Sequence, residues 1–292
     1  MLQLFANVLI TASVALLVAV SFSTVYWVAR FFHFALGGII VAGAYCAYAV
    51  LNLVPSSPIL AVFGAALGGG LLGVTLEVLV HRPLRLRGAA GSGFLLASLG
   101  AYIVIINSVS LVWGEQVRIL AVARLSHVIS MFGVRITTVQ ACEVGLAAAT
   151  AICAWIALAG TRAGRAFRAV ACDAVLARVV GIDAILVHVV ALVAGSMLAG
   201  VVGLLVAADV DVRPGLGFPL LLLGVTAALL GRPGRVSSLV AGAGIVSIGQ
   251  NLGAWFFGMQ FREAITMLIL LATLYLRRRV ISAHLSQRVA EF

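Results

Sequence analysis

The residues best suited to chemistry form one basic stretch, Gly164-Arg165-Ala166-Phe167-Arg168-Ala169-Val170-Ala171-Cys172-Asp173, which continues through Arg178 to Gly181. At about 100° per residue, Arg165, Arg168 and Asp173 share one arc while Phe167, Val170 and Ala171 take the opposite one. The pattern predicts a short amphipathic helix on a membrane surface. Its guanidinium groups would either fork hydrogen bonds to a partner's carboxylates and carbonyls or answer anionic lipid. Covalent chemistry has no comparable candidate. No GxxxxGK[ST] loop is present, so ATP and Mg are not expected on this chain. Cys46, Cys142, Cys153 and Cys172 form no CxxC pair, and the five histidines are dispersed; the cysteines read as small apolar fillers, and no metal site is expected. Asn107 and Gln250 stand inside apolar runs, where an amide needs a partner; they read as interhelical glue or as lining of a polar path.

The elements that must position these residues belong to a membrane. Of the 292 residues, 63% are hydrophobic and 10% charged, with a mean hydropathy of +1.21, whereas soluble domains carry about 25% charged residues. The net charge of +10 is all arginine, in short clusters between apolar runs. A nucleic-acid binder would need a continuous basic face, so the expected contact is with lipid and not nucleic acid. With about 20 apolar residues per span, nine segments are predicted: Leu4 to Val28, Phe34 to Val54, Ile59 to Val80, Phe94 to Trp113, Thr138 to Ala159, Ala184 to Ala208, Leu216 to Leu230, Val236 to Phe257 and Ala264 to Leu276. The seventh is short and the second opens on a glycine-broken stretch, so these two are predicted to be half-helices. The first is long enough to span and has no positive leader before it, so it is not expected to be a cleaved signal. The expectation is an all-α polytopic bundle of eight or nine segments, a single domain over residues 1–292 with a surface loop over about 160–183.

Arginine clusters orient the bundle, because positive loops stay on the cytoplasmic side. The clusters at Arg82, Arg85 and Arg87, at Arg162 to Arg178 and at Arg277 to Arg279 all fall on one side if nine segments alternate. The N-terminus and Arg124 then lie outside. Arg30 is the loose end of this assignment. Gly64, Gly68, Gly69 and Gly73, and Gly195, Ala199 and Gly203, give small-residue spacings that permit close helix crossings. An echo adds a second level. Val41-Ala42-Gly43-Ala44 recurs as Val240-Ala241-Gly242-Ala243 and Asn52-Leu53 as Asn251-Leu252, at one offset of 199 residues. Each copy follows a glycine-rich interruption, as in transporters built from inverted repeats whose broken helices face the substrate. His33, Leu36, Gly37, Gly38, Asn107, Gly231, Arg232, Pro233 and Gly234 are the resulting candidates for lining the path.

The basic stretch resembles the G-R-A-x-R-A-x-x-x-D…A-x-x-x-G-I signature of the permease subunits of branched-chain amino acid ABC transporters, the LivH type. Three further stretches agree in the same order: Phe32-His33-Phe34-Ala35 through Gly43-Ala44-Tyr45, His81-Arg82-Pro83-Leu84-Arg85, and Leu96-Ala97-Ser98-Leu99-Gly100 through Trp113-Gly114. The resemblance implies that Gly164, Arg165, Arg168, Asp173, Arg178 and Gly181 belong to a coupling helix that docks on an ATP-binding cassette subunit. It also implies a second permease subunit, a soluble solute-binding protein and a bacterial inner membrane. His33, Leu36 and Gly38 stand where the family pattern has asparagine, histidine and glutamate, and Leu230-Gly231-Arg232-Pro233-Gly234 shortens its glycine-rich turn. These departures leave the solute open. They fit either a changed cargo or a subunit that works only beside a second permease. The alternative of a self-sufficient secondary transporter needs a carboxylate buried at mid-membrane, whereas Glu77, Glu143, Asp209, Asp211 and Glu263 fall near segment ends. A membrane-embedded enzyme has no catalytic constellation to support it.

Overall fold

A computed structural model describes residues 2–54, 57–120, 128–131 and 134–290; Arg124 lies outside the described residues. In lipid every backbone N–H and C=O must be satisfied within its own segment, and the apolar runs accordingly form helices: α1 (Leu2–Ala29), α2 (Ala35–Leu53), α3 (Pro58–Leu76), which passes through a π-helical turn (Glu77–His81) into α4 (Arg82–Leu86), α5 (Gly91–Trp113), α6 (Thr138–Gly160), α7 (Arg162–Cys172), α8 (Ala174–Val179), α9 (Ala184–Asp209), α10 (Gly217–Leu230), α11 (Val236–Phe257) and α12 (Arg262–Ala290). Among the described residues, eight helices are long and apolar enough to cross a membrane. At 14 residues α10 is about 21 Å long, short of the roughly 30 Å hydrocarbon core. The expected all-α bundle and its half-length seventh segment are therefore present, whereas the second segment, expected as a half-helix, is the 19-residue α2, long enough to span, because the break falls before it and its glycines continue the helix. A two-stranded hairpin, Val128–Met131 with Val134–Thr137, decorates the loop before α6.

Helix α2 is the axis of the bundle. Its Ile39, Ile40, Val41 and Tyr45 are fully buried, enclosed by α3, α5, α9 and α10. The small-residue spacings do what close crossings require. A β-carbon on Gly200 of α9 would overlap backbone of α3 at Ala65, and one on Gly43 of α2 would overlap Gly200, so α2, α3 and α9 meet backbone to backbone. Polar side chains join helices where the core is thinner. Gln250 of α11 donates to Thr266 of α12, and the Asn251 amide donates to Thr11 Oγ1 of α1 at 3.1 Å. Gln250 is thus the interhelical amide that its apolar surroundings called for.

The two ends of the bundle differ in charge. One end gathers the α1–α2 junction with Arg30, α4 with Arg82, Arg85 and Arg87, all of α7 and α8, and the α10–α11 turn with Arg232 and Arg235. The far end holds Arg118, Arg135, Arg213 and Arg262 among the carboxylates Glu115, Asp209, Asp211 and Glu263. Helices α2 and α11, the two copies of the sequence echo, both start at the basic end: Phe34 hydrogen-bonds Ser98 near the start of α5, and Gly234 hydrogen-bonds Ser23 near the end of α1. Two helices of the same direction carry the echo, so it does not mark an inverted repeat. The shared Ala-Gly-Ala follows from similar close packing and leaves direction unspecified.

Candidate coupling surface and transport route

Helix α7 forms where the sequence predicts an amphipathic helix. The Thr161 hydroxyl caps its start by accepting from the Gly164 N–H at 3.0 Å. Gly164 is buried under the last turn of α6, where a β-carbon would overlap the Ala157 and Leu158 carbonyl oxygens. Val170 and Ala171 are buried, with Val170 packed among Val28, Ala177 and Val187. Arg165 and Arg168 are exposed as predicted, but they differ in what they do. Arg168 donates to the Leu158 carbonyl and ties α7 to α6; Arg165 stays on the open face.

The rest of the predicted coupling set shapes the element. Asp173 accepts from Val175 N at 2.8 Å and Leu176 N at 3.0 Å, which caps α8. Arg178 Nε donates to Ala174 O at 3.2 Å within its own helix. Gly181, at φ 84°, ends α8 with its N–H on Arg178 O. What the arginine pattern concealed is an apolar tip. Val175, Leu176, Val179 and Val180 are 62 to 81% exposed on α8, outside every span. Their i, i+4 spacing on a six-residue helix is the signal that would have found them.

Arg30 connects this element to the core. It is the non-glycine residue with positive φ among those described, at 61°, a conformation costing of order 1 kcal/mol or more. Its guanidinium donates to Ala171 O in the last turn of α7, where the carbonyls of a helix end lack partners. Residues 30–34 are the actual break between α1 and α2, and aromatic packing fills it. Phe31 stacks on Phe94 at 5.1 Å between ring centroids, and His33 meets His81 at 5.2 Å. His33 is fully buried with neither ring nitrogen hydrogen-bonded to protein. Burial first, and His81 second, hold it down at about 3, so it is neutral at physiological pH. Beneath it the π turn brings Glu77 against Arg85. A cavity of about 380 Å³ lined by Arg30, Phe31, Arg85, Val170, Cys172 and His188 separates this junction from α7 and α8.

Leu36, Gly37 and Gly38 lie inside the first turns of α2, fully buried, just past the break. Gly37 backs onto the start of α10: a β-carbon on Gly217 would overlap the Gly37 carbonyl oxygen, and one on Gly37 would sit 3.2 Å from Gly217 O and 3.3 Å from the Tyr102 ring. Phe218 completes the crossing, its ring 6.0 Å from that of Tyr102. So the residues that meet the α2 start come from the start of α10, announced in the sequence by Pro214-Gly215-Leu216-Gly217-Phe218-Pro219. Gly231, Arg232, Pro233 and Gly234 lie at its other end. There they form a tight turn at the basic end, with Gly234 at φ 89° against the Trp27 ring. The two glycine-rich interruptions therefore do not converge. Asn107 joins neither; it is exposed on α5 and donates to Ile103 O of its own helix at 2.8 Å.

With this geometry in place, likeness to known proteins becomes informative. Residues 4–276 match the family described as the permease component of the branched-chain amino acid transport system. The chain is 27% identical over 289 residues to the high-affinity branched-chain amino acid transport system permease protein BraD of Pseudomonas aeruginosa, covering 94% of each chain. It is 25% identical over 285 residues to LivH of Salmonella typhimurium, a permease protein of the same description, covering 93% of this chain and 92% of that one. A chain in the structure of PsaBC from Streptococcus pneumoniae in complex with Fab shares the fold, with TM-score 0.51 at 14% identity over 93% of this chain and 91% of that one. Eight helices of spanning length among the described residues and a family match along nearly the whole chain lead to one conclusion: this multi-pass membrane protein belongs to the family of branched-chain amino acid transport permeases, as a transport subunit of an ABC importer.

Proposed function

We propose that the chain, acting as one transmembrane unit in a bacterial inner membrane, forms part of the path by which branched-chain amino acids or similar small polar solutes are imported. ATP hydrolysis takes place on separate ATP-binding cassette subunits that dock on α7 and α8. This chain itself binds neither ATP nor Mg. A second permease, identical or homologous, completes the membrane part, and a soluble binding protein delivers solute at the far end. The observation that carries the reading is the α7–α8 element: a capped pair of short helices beyond the spans, with Arg165 and an apolar tip on its open face and Arg30 linking its rear to the α1–α2 break. Reconstitution in vesicles with partner ATP-binding cassette subunits and a solute-binding protein tests this directly. Uptake of labelled leucine should require both ATP and the binding protein. Uptake driven by an ion gradient without ATP would instead establish the secondary-transporter alternative.

The arginine-rich end faces the cytoplasm in this reading, since each charge costs about 2.5 to 3.5 kcal/mol at a helix centre and positive loops are retained inside. In a background lacking the native cysteines, Arg213→Cys should react with an impermeant maleimide in intact cells. Arg165→Cys should react only after permeabilisation. The reverse result would turn the protein over in the membrane.

The α2–α10 crossing is the proposed moving contact of the route, because α10 starts inside the bundle and not at a membrane face. Gly217→Leu is expected to cut uptake about tenfold or more, the scale of a 1 to 3 kcal/mol overpacking cost. The matched control is Gly215→Leu, since a β-carbon there meets nothing within 4 Å. Quantifying each variant in the membrane fraction separates blocked transport from lost protein. Equal uptake by the two variants would remove the crossing from the route.

A further inference from the structure

Between α6 on one side and α9 and α11 on the other, floored by α1, runs an apolar groove of about 380 Å³. Its α6 wall extends from Thr150 to Leu158, about 12 Å at 1.5 Å per residue, and Thr161 at the junction with α7 carries it further, close to the depth of one leaflet of a hydrocarbon core about 30 Å thick. The lips are exposed at Cys153 and Ala157 on α6 and at Val190 and Ala194 on α9, so the groove opens sideways where acyl chains lie. Its inner end is apolar, at Val20, Leu198 and Leu239. Its outer end, at the basic face of the bundle, is polar: exposed Arg235 lines the mouth beside Thr161, Thr24 and the Trp27 indole. Exposed Arg162 and Arg232 neighbour lining residues Ala163 and Gly234.

We propose that this groove is a binding site for an anionic phospholipid of the leaflet at the basic end, with an acyl chain lying along α6 and the headgroup phosphate at Arg235. Three observations converge on that occupant: the depth of one leaflet, the lateral opening, and a cationic mouth with an indole at interfacial height. A second copy of this chain fits less well. A two-fold interface places the same cationic mouth on both subunits and would gather two sets of Arg162, Arg232 and Arg235 into one interface, where like-charge juxtaposition is costly. The site is independent of whether α7 couples to an ATPase. The lipid would nonetheless touch both the root of α7, at Gly164 and Phe167, and the α10–α11 turn at Gly234, so its presence would bias how those two elements sit.

Trp27 reports on the groove directly, since bromine on an acyl chain quenches an indole it touches. With Trp113, Trp155 and Trp255 changed to Phe, the full chain in vesicles should be quenched by brominated phosphatidylglycerol at a mole fraction about fivefold lower than by brominated phosphatidylcholine, the preference one arginine confers at an anionic surface. Arg235→Gln should abolish the preference, and Ala157→Phe should weaken quenching by both lipids. Equal quenching by the two lipids would reduce the groove to bulk acyl contact, and no quenching would mean that protein fills it; either result overturns the site. Native mass spectrometry of the otherwise unaltered protein supplies a second reading that needs no tryptophan changes. Bound phosphatidylglycerol or cardiolipin should survive in the parent chain and be lost in Arg235→Gln, and retention in both would overturn the headgroup assignment.

Discussion

Replacing Arg165 by glutamate together with Leu176 by aspartate is expected to weaken capture of the ATPase about a hundredfold, while the permease still inserts and purifies. Both side chains lie on the open face of α7–α8 and contribute nothing to the packing beneath, which rests on Gly164, Val170, Ala171 and Ala177. Leu176 is 63% exposed outside the spans and forms one apolar patch with Val175, Val179 and Val180, and a contiguous exposed patch of this kind marks a contact surface. Burying an aspartate in that partner's socket, and offering it a glutamate in place of a guanidinium, costs several kcal/mol. Arg168→Glu belongs to a different experiment, because its guanidinium holds the Leu158 carbonyl. That variant should loosen α7 from α6 and lower thermal stability even without the ATPase. Co-purification separates the two. Undiminished capture by the Arg165→Glu, Leu176→Asp variant would remove this face from the coupling surface and leave α7 as a basic helix that answers lipid headgroups.

Much of the bundle was legible in the sequence because lipid imposes a one-dimensional rule: an uncharged run of about 20 residues must form a helix. Every predicted span has its helix, and the shortness of α10 follows from the 14 residues between Gly217 and Leu230. The exposed face of α7 was legible for a related reason, since arginine spacing records a helix face directly. What the sequence withheld are contacts between distant segments. Gly37 has two glycine-rich stretches as plausible mates, one at each end of α10. Composition cannot choose between Gly217 and Gly234, and only the path of α10 through the bundle does. His33 illustrates the same limit: its place next to a helix break is compatible with packing or with lining a path, and its contact with His81, which arrives from a π turn some 48 residues later in the chain, is not written in the local sequence. The direction of the echo is withheld too, because identical small residues serve parallel and antiparallel crossings equally.

Arg30 was the residue that the charge pattern left unexplained, and its variants are expected to uncouple ATP hydrolysis from transport without dissociating the complex. A left-handed backbone at a non-glycine residue persists only when its surroundings hold it there, and what holds Arg30 is the Ala171 carbonyl at the end of α7. Any tilt of α7 driven by a docked ATPase therefore pulls at the start of the α1–α2 break, with the cavity beside Phe31 and Val170 giving the junction room to move. Two substitutions isolate the link. Arg30→Gly keeps the backbone at no steric cost but removes the guanidinium; Arg30→Lys keeps the charge but loses the planar fork. A hydrogen bond to a charged group is worth about 1.5 to 3 kcal/mol, so solute-stimulated ATP hydrolysis by Arg30→Gly in reconstituted vesicles should fall roughly ten- to a hundredfold. Arg30→Lys should fall between that and the parent protein. Basal hydrolysis and co-purification should be unchanged in both, because the open face of α7–α8 proposed to meet the ATPase is untouched. A glycine variant that transports at the parent rate would show that the break moves independently of α7, and one that no longer binds the ATPase would place Arg30 in the shape of the docking surface instead of in the link behind it.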